Sequence, residues 1–276
     1  MTFTISSKPF VAKLEENIQR VDNRIKNYLT DPNEDNIHDI RTAIRKLDAS
    51  FRSLPKKVRK KNRVSNYVTV SKRLFKVNSE IRDYDIIYGN LKKYSSDSIY
   101  TELTRPLEER REKEIIKARN IALSLKDLQL PKINEDDIPT RKLQQRFNKI
   151  VGRFSDRIEL NFPIVLTNSK KIGELHEMRK NCKKLRYLLE LLPEQDKEIQ
   201  KTITELEDIQ DMLGSIHDDD ITIAYLKSIR NPKTVHYILD NEIAERSHKY
   251  EEFIQFCKAN LSNPKENFFN QIWSLA

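Results

Sequence analysis

Glycine is scarce in this chain, with four residues among 276. Sheets and tight turns rely on glycine for positive φ, whereas long helices avoid it. The scarcity points away from β-rich and α/β architectures and toward an all-α fold. Cysteine is rarer still. Cys182 and Cys257 form no CxxC pair and no disulfide framework, so nothing calls for an oxidising compartment. Cys182 falls on an apolar helical stripe, where it reads as a small buried hydrophobe. No uninterrupted apolar run approaches membrane-spanning length. The segment Met1 to Val11 lacks a basic stretch followed by an apolar one, so no secretory signal is evident and a soluble, cytoplasmic protein is expected. A Gly-rich phosphate loop, a G-x-S-x-G elbow and a Cys/His nucleophile arrangement are missing as well. Catalysis has little to stand on, no cofactor is called for, and a non-enzymatic role is expected.

Charge, by contrast, is plentiful. Lys and Arg number 51 against 42 Asp and Glu, a formal balance of +9, and 37% of residues are hydrophobic. The chain is densely ionic yet apolar enough to build a core. A surplus of this size acquires meaning only where the cations are segregated, because a clustered face concentrates polyanions and a mixed one does not.

Helical spacing runs through most of the chain. Pro9 opens a first helix in which Leu14, Ile18, Val21, Ile25 and Leu29 step by three and four, ended by Asp31-Pro32-Asn33. A second runs to Pro55, and the basic stretch Lys56 to Arg63 follows as a connector. A third pattern from Val64 is interrupted around Asn78 to Asp83, and a shorter helix covers Tyr84 to Tyr94. Pro106 sits in the first turn of a long helix reaching Lys126. Beyond the midpoint, a helix from Arg141 to Leu160 leads into Asn161-Phe162-Pro163, and another runs to Pro193. Lys197 to Leu213 ends at Gly214 as a C-cap, a short helix follows Asp218 to Asp220, and the last begins after Pro232. No segment shows sustained strand alternation.

Two phrases recur. His38-Asp39-Ile40-Arg41-Thr42-Ala43-Ile44-Arg45-Lys46-Leu47 is matched by His176-Glu177-Met178-Arg179-Lys180-Asn181-Cys182-Lys183-Lys184-Leu185, an offset of 138 and half of the 276 residues. Ile81-Arg82-Asp83-Tyr84-Asp85-Ile86 is matched by Ile216-His217-Asp218-Asp219-Asp220-Ile221 at an offset of 135. Two motifs in the same order at nearly the same offset indicate an internal duplication. Residues 1–130 and 141–276 then read as two helical-bundle halves, with the Pro-bearing, acidic segment 131–140 as linker.

On a helical wheel, Ile37, Ile40, Ile44, Leu47, Phe51 and Leu54 share one face, while His38, Arg41, Arg45 and Arg52 share another. In the second helix the apolar face is Leu175, Met178, Cys182, Leu185, Leu189 and Leu192, beside the row His176, Arg179, Lys183 and Arg186. The stripe centres lie about 120° apart, so each basic row runs along the margin of the core, with its stems held by packing. Arg41 and Arg45 are about 6 Å apart along the axis. Such a spacing suits an extended anion of many repeated charges, accepting guanidinium forks one after another.

The repeated H-x-x-R-x-x-x-[RK]-[RK]-L phrase, with an [RH]-D-x-D-I element after it in each half, resembles the CHAD domain family (conserved histidine α-helical domain). The resemblance covers essentially the whole chain. It implies two pseudo-symmetric four-helix bundles around a basic central cavity, and binding of inorganic polyphosphate by a stand-alone module without a triphosphate-tunnel catalytic domain. It also implies association with polyphosphate granules. By that resemblance His38, Arg41, Arg45 and Lys46, with His176, Arg179, Lys183 and Lys184, are the expected polyphosphate contacts. Arg52 and Arg186 extend the rows without being aligned, their repeat partners being Glu190 and Asp48. Arg82 matches His217, a second inequality. Lys180 lies within the second phrase, Tyr187 adds a hydroxyl donor, and Lys56 continues the first row. Arg146 and Arg153, at helical spacing with Lys149 and Arg157, form either a second cavity wall or a solvated face.

Rival readings rest on the same residues. Lysine and arginine rows also contact nucleic-acid phosphates, but stacking or groove readout needs exposed aromatics or a recognition helix, and the rows carry only Tyr187. His38-Asp39 and His217-Asp218 imitate the pairs of metal-dependent phosphohydrolases. A working metal site needs several converging ligands and an open position. N-capping of following helices accounts for Asp83, Asp85 and Asp218 to Asp220 without a metal, and pairing with the cavity arginines is the other role open to them.

Overall fold

The structure is a computed structural model that describes residues 4–96, 99–193, 196–229 and 232–261. The all-α expectation is met. Among the described residues there are nine α-helices, two short 3₁₀ turns and no strand. They are α1 (Ser7–Thr30), α2 (Glu34–Ser53), α3 (Lys56–Arg59), α4 (Asn62–Leu91), α5 (Tyr100–Lys126), α6 (Thr140–Thr167), α7 (Ile172–Leu189), α8 (Lys197–Lys227) and α9 (Pro232–Leu261).

Local chemistry explains several helix starts. The Asn33 side chain accepts the backbone N–H of Asn36 at 2.9 Å and opens α2. Asp196 accepts from Glu198 and Ile199 at 3.0 and 3.2 Å and opens α8. The apolar stripes read from the sequence are buried as expected. Ile37, Ile40 and Leu54 on one side, and Met178, Cys182 and Leu185 on the other, are wholly shielded. Burial holds the Cys182 thiol up at about 12, so it behaves as an inert hydrophobe.

Five expectations about the elements need correction. α4 is one helix straight through Asn78 to Asp83, with no separate Tyr84–Tyr94 helix. α8 likewise runs unbroken through Gly214 and Asp218 to Asp220, so Gly214 is a mid-helix residue and those aspartates cap nothing. α6 continues through Pro163 to Thr167, and Pro106 lies inside α5 rather than in its first turn. The basic connector is itself structured: α3 occupies Lys56–Arg59, Val58 is buried, and the Arg59 Nε donates to the Leu54 carbonyl at 3.1 Å. In α4 and α8 tertiary partners, described below, override a local breaking signal.

Within the first part of the chain α1 packs on α2 and α5, α2 on α4, and α4 on α5; in the second, α6 packs on α7, α7 on α8, and α8 on α9. α2 meets α7 and α4 meets α8 where these groups join. One apolar cluster draws residues from all nine helices. A smaller one gathers Ile87, Leu91, Leu103, Leu107, Leu226 and Ile238 at the far ends of α4, α5, α8 and α9. Segment 131–140 is pinned rather than loose: Ile133 and Ile138 are buried, and the Ser7 hydroxyl donates to the Ile138 carbonyl at 2.5 Å.

Between the two apolar clusters, α4 and α8 each carry a polar stretch, Arg82 to Asp85 and His217 to Asp220. Three of their five carboxylates are matched from neighbouring helices. The Arg111 Nε donates to Asp85 at 2.6 Å, and the Arg246 Nε donates to Asp220 at 2.7 Å, both across a separation of 26 residues. Lys249 reaches Asp219 at 2.8 Å. These partners explain why the helices continue where the sequence suggests a break.

Candidate basic site

Because α2 and α7 pack together, their marginal rows converge. Arg41 and Arg186 are each only 8% exposed, and Arg45, Arg179 and Lys183 are half-buried. The α4 residue Phe75 supports two of them, its ring centre lying 5.7 Å from the Arg41 and 5.1 Å from the Arg45 guanidinium carbon. Tyr187 supports Arg186 and Lys46 at 4.8 and 5.9 Å.

Among the described residues, carboxylates within ion-pair distance stand only at the edge of this cluster, while Asp83, Asp211 and Asp218 act on Arg179 from farther off. Lys46 pairs with Glu190 at 2.8 Å, and Arg186 pairs with Glu207. At its centre the cations oppose one another. Burial, then Arg45, Arg179, Arg41 and Arg186, pull the Lys183 ammonium down to about 6. Burial and then Arg45 lower Arg41, with Asp83 opposing. The buried Nε groups of Arg41 and Arg179 have no hydrogen-bond acceptor. Unfilled donors and mutual repulsion together describe a site whose charge an incoming anion would complete.

The polar stretches of α4 and α8 form the adjoining wall. Asp83 is raised to about 6 by burial and Asp218, against the pull of Arg41 and Arg179; Asp218 is raised by burial as well. His217 stacks on His176 with ring centres 4.3 Å apart. Burial first, then Arg179 and His176, depress His217 to about 3, so the pair is neutral near pH 7. Gly214 matters here. A Cβ at that position would lie 3.4 Å from the Arg179 Nε, so the bare helix face seats the guanidinium. A cavity of about 410 Å³ opens beside it, lined among others by Arg179, Asp211, Asp218, Ser215 and Lys249. Its mixed charge sets it apart from the cation cluster, to which only Arg179 connects it.

The expected contact residues thus separate into groups. Arg41, Arg45, Lys46, Arg179, Lys183, Arg186 and Tyr187 come together. His176 joins them through His217, whereas its counterpart His38 is 61% exposed, 3.7 Å from Asp39. Arg82 pairs with Glu34 at the rim, Lys180 pairs with Glu177, and Lys56 is exposed on α3. Arg52, Arg146, Arg153 and Lys184 gather elsewhere, around α6. Arg52 pairs with Asp48 at 2.5 Å, and the Arg146 Nε donates to the Arg52 carbonyl at 3.1 Å. Sequence reasoning passed over Phe75, Arg111, Arg246 and Lys249. Arg111 and Arg246 stand 135 positions apart, the offset of the second repeated element, which is the one signal that pointed to them. Among the described residues no group of three or more His, Cys, Asp and Glu side chains could hold a metal, and no helix is long and apolar enough to cross a membrane.

A search of curated proteins finds no match. Among solved structures, the CHAD domain from the plant Ricinus communis is similar over 100% of this chain and 94% of its own, at 12% identity and a TM-score of 0.58. PptA from Streptomyces chartreusis is similar over 98% and 99%, at 12% identity and a TM-score of 0.57. At such identity these likenesses speak for the fold. The CHAD domain family profile matches residues 12–227, most of the chain, around both rows and both polar stretches. The chain belongs to the CHAD domain family.

Proposed function

We propose that this protein binds inorganic polyphosphate along the facing basic rows of α2 and α7, without catalysis. One observation carries the reading: Arg41, Arg45, Arg179, Lys183 and Arg186 crowd together from two helices, burial and the neighbouring cations lower Arg41, Arg45 and Lys183, and ion-paired carboxylates stand only at the margin. An extended polyanion relieves that repulsion and fills the vacant donors through charge-assisted hydrogen bonds. Family membership supports the same ligand. The neutral His176–His217 pair then donates or accepts beside the cluster, and the α4 and α8 carboxylates orient its arginines. Membership of the family supports attachment to polyphosphate granules as part of this reading, in a cytoplasmic protein.

Reversal of Arg41, Arg45 and Arg179 to glutamate is expected to abolish polyphosphate binding in a calorimetric titration. Circular dichroism reports whether the helices persist, and an unchanged affinity in the folded variant would overturn the assignment. Nucleic acid is the competitor to exclude. Tyr187 is buried, leaving no platform for base stacking in the rows. Polyphosphate is therefore expected to displace labelled RNA far better than the reverse at equal phosphate concentration. Incubation with polyphosphate and divalent metal is expected to release no orthophosphate.

A further inference from the structure

We propose that the exposed side of α6 carries a second anion-binding track, distinct from the α2/α7 cluster, which engages only polyphosphate chains long enough to extend beyond that cluster. The proposal rests on the polyphosphate reading above and assigns the residues that reading leaves outside its centre.

Arg146, Arg153 and Arg157 fall within about 20° of one line on the helical wheel and span roughly 17 Å of α6. Arg153 and Arg157 are exposed, and Arg146 is half-buried. Neighbouring helices add to the line. Arg52 stands at the end of α2, Arg59 on α3 and Lys184 on α7. Among the described residues Arg59, Arg146, Arg153, Arg157 and Lys184 have no carboxylate within ion-pair distance, although ion pairs are abundant elsewhere on the surface, such as Arg20–Glu16 and Arg105–Glu109.

These cations are also held in place. Arg146 and Arg59 each donate through Nε, at 3.1 Å, to a backbone carbonyl at or just past the C-terminal end of α2 (Arg52 and Leu54). Each anchor uses one of five guanidinium donors. Arg153 and Lys184 lie over the same Phe154 ring, at 4.9 and 5.6 Å from its centre, from opposite sides of the α6–α7 contact. Their electrostatic surroundings are almost all positive. Arg146 is disfavoured by burial and then Arg59, Arg153 and Arg52; Arg153 by burial and then Arg157 and Arg52.

The groups that act most strongly on Lys183 and Arg45, apart from each other, are Arg41, Arg179, Arg186 and Tyr187, none of them part of this line. Arg146 and Arg59 are anchored at the C-terminal end of α2, whereas Arg41 and Arg45 rest on Phe75 of α4, so the track is a separate cluster and not a wall of the first. α7 joins the two, since Lys184 follows Lys183 about 100° around the helix. Phe154 is 1% exposed, so the track offers no stacking surface, and an unbranched polyanion fits it better than a single-stranded nucleic acid.

The full chain and its Arg146→Gln/Arg153→Gln/Arg157→Gln variant are to be titrated with tripolyphosphate and with long-chain polyphosphate. The variant is expected to keep the wild-type affinity for tripolyphosphate. Its affinity for the long polymer should fall by on the order of tenfold to a hundredfold, as when one arm of a two-part contact is lost. The salt dependence should flatten by roughly two units of slope for three lost phosphate contacts. Undiminished long-chain affinity overturns the track while leaving the α2/α7 site intact. An equal loss for both lengths overturns its separateness, and a wild-type chain that binds neither length overturns the polyphosphate reading itself. Loss of RNA affinity with full retention of long-chain polyphosphate assigns the face to nucleic acid instead. Because Arg146 is tied to α2, the Arg153→Gln/Arg157→Gln variant, altered only at exposed positions, repeats the test without risk to the fold.

Discussion

Gly214 shows how much one hydrogen atom in place of a side chain can decide. Glycine in a helix interior costs about 1 kcal/mol relative to alanine, yet here it seats the Arg179 guanidinium. A Cβ fits at ordinary van der Waals distance, and anything longer occupies the space of the guanidinium. Gly214→Ala is therefore expected to raise stability by about 1 kcal/mol in thermal melts with binding retained. Gly214→Leu should displace Arg179 and weaken polyphosphate binding, as read by titration. The two motif histidines illustrate the complementary point. His38 and His176 occupy equal places in the repeated phrase, but His217 covers only His176, because its own repeat partner is the charged Arg82. Their different exposure follows from that substitution and is invisible within the phrase itself.

At the scale of whole elements, the rows and stripes of α2 and α7 were legible because each side chain's burial follows from its own helical phase. The continuity of α4 and α8 was not. Asn78 to Asp83, and Gly214 with three aspartates after it, are local signals for ending a helix. What overrules them is a set of partners on α5 and α9, distant in sequence: Arg111 for Asp85, Arg246 for Asp220 and Lys249 for Asp219. The site shows the same division. The α2 and α7 cations were recognisable, whereas their supports, Phe75 and Phe154, come from other helices, and only packing reveals them. The two aspartate pairs are not equally buried. Arg246 is 10% exposed and Arg111 29%, with both aspartates at 8%. Asp220→Ala is expected to cost about 3 kcal/mol in chemical denaturation, since it strands a buried guanidinium. Asp85→Ala should cost about 2 kcal/mol, because water can reach Arg111.

Over the whole molecule, the +9 balance is less telling than its distribution. Cations unopposed by carboxylates collect around α2, α6 and α7, and the protonation state of the central cluster follows from that crowding. Without ligand, Lys183 titrates at about 6 and is mostly neutral at pH 7.5; a bound polyanion restores its charge. Asp83, which also titrates at about 6, acts in the same direction. Its protonation removes a local negative charge, and an approaching phosphate favours that neutral form. Histidines 176 and 217 are lowered and add uptake wherever phosphate touches them. Every contribution therefore has one sign. Polyphosphate affinity should strengthen as pH falls from 8 toward 6, with proton uptake visible as a dependence of binding heat on the buffer's ionisation enthalpy. Lys183→Met is expected to lower affinity and to shrink that uptake.

The uninterrupted course of α4 and α8 has one more consequence, for rates. The groups facing the cluster stand on the middle turns of long, mutually clamped helices, so no loop has to close for the ligand to be gripped. Arrival should then be governed by diffusion in the protein's own electric field, fast at low ionic strength and slowing steeply as salt is added. Release should occur phosphate by phosphate, and backbone hydrogen exchange along α4 and α8 should be nearly the same with the site empty or occupied.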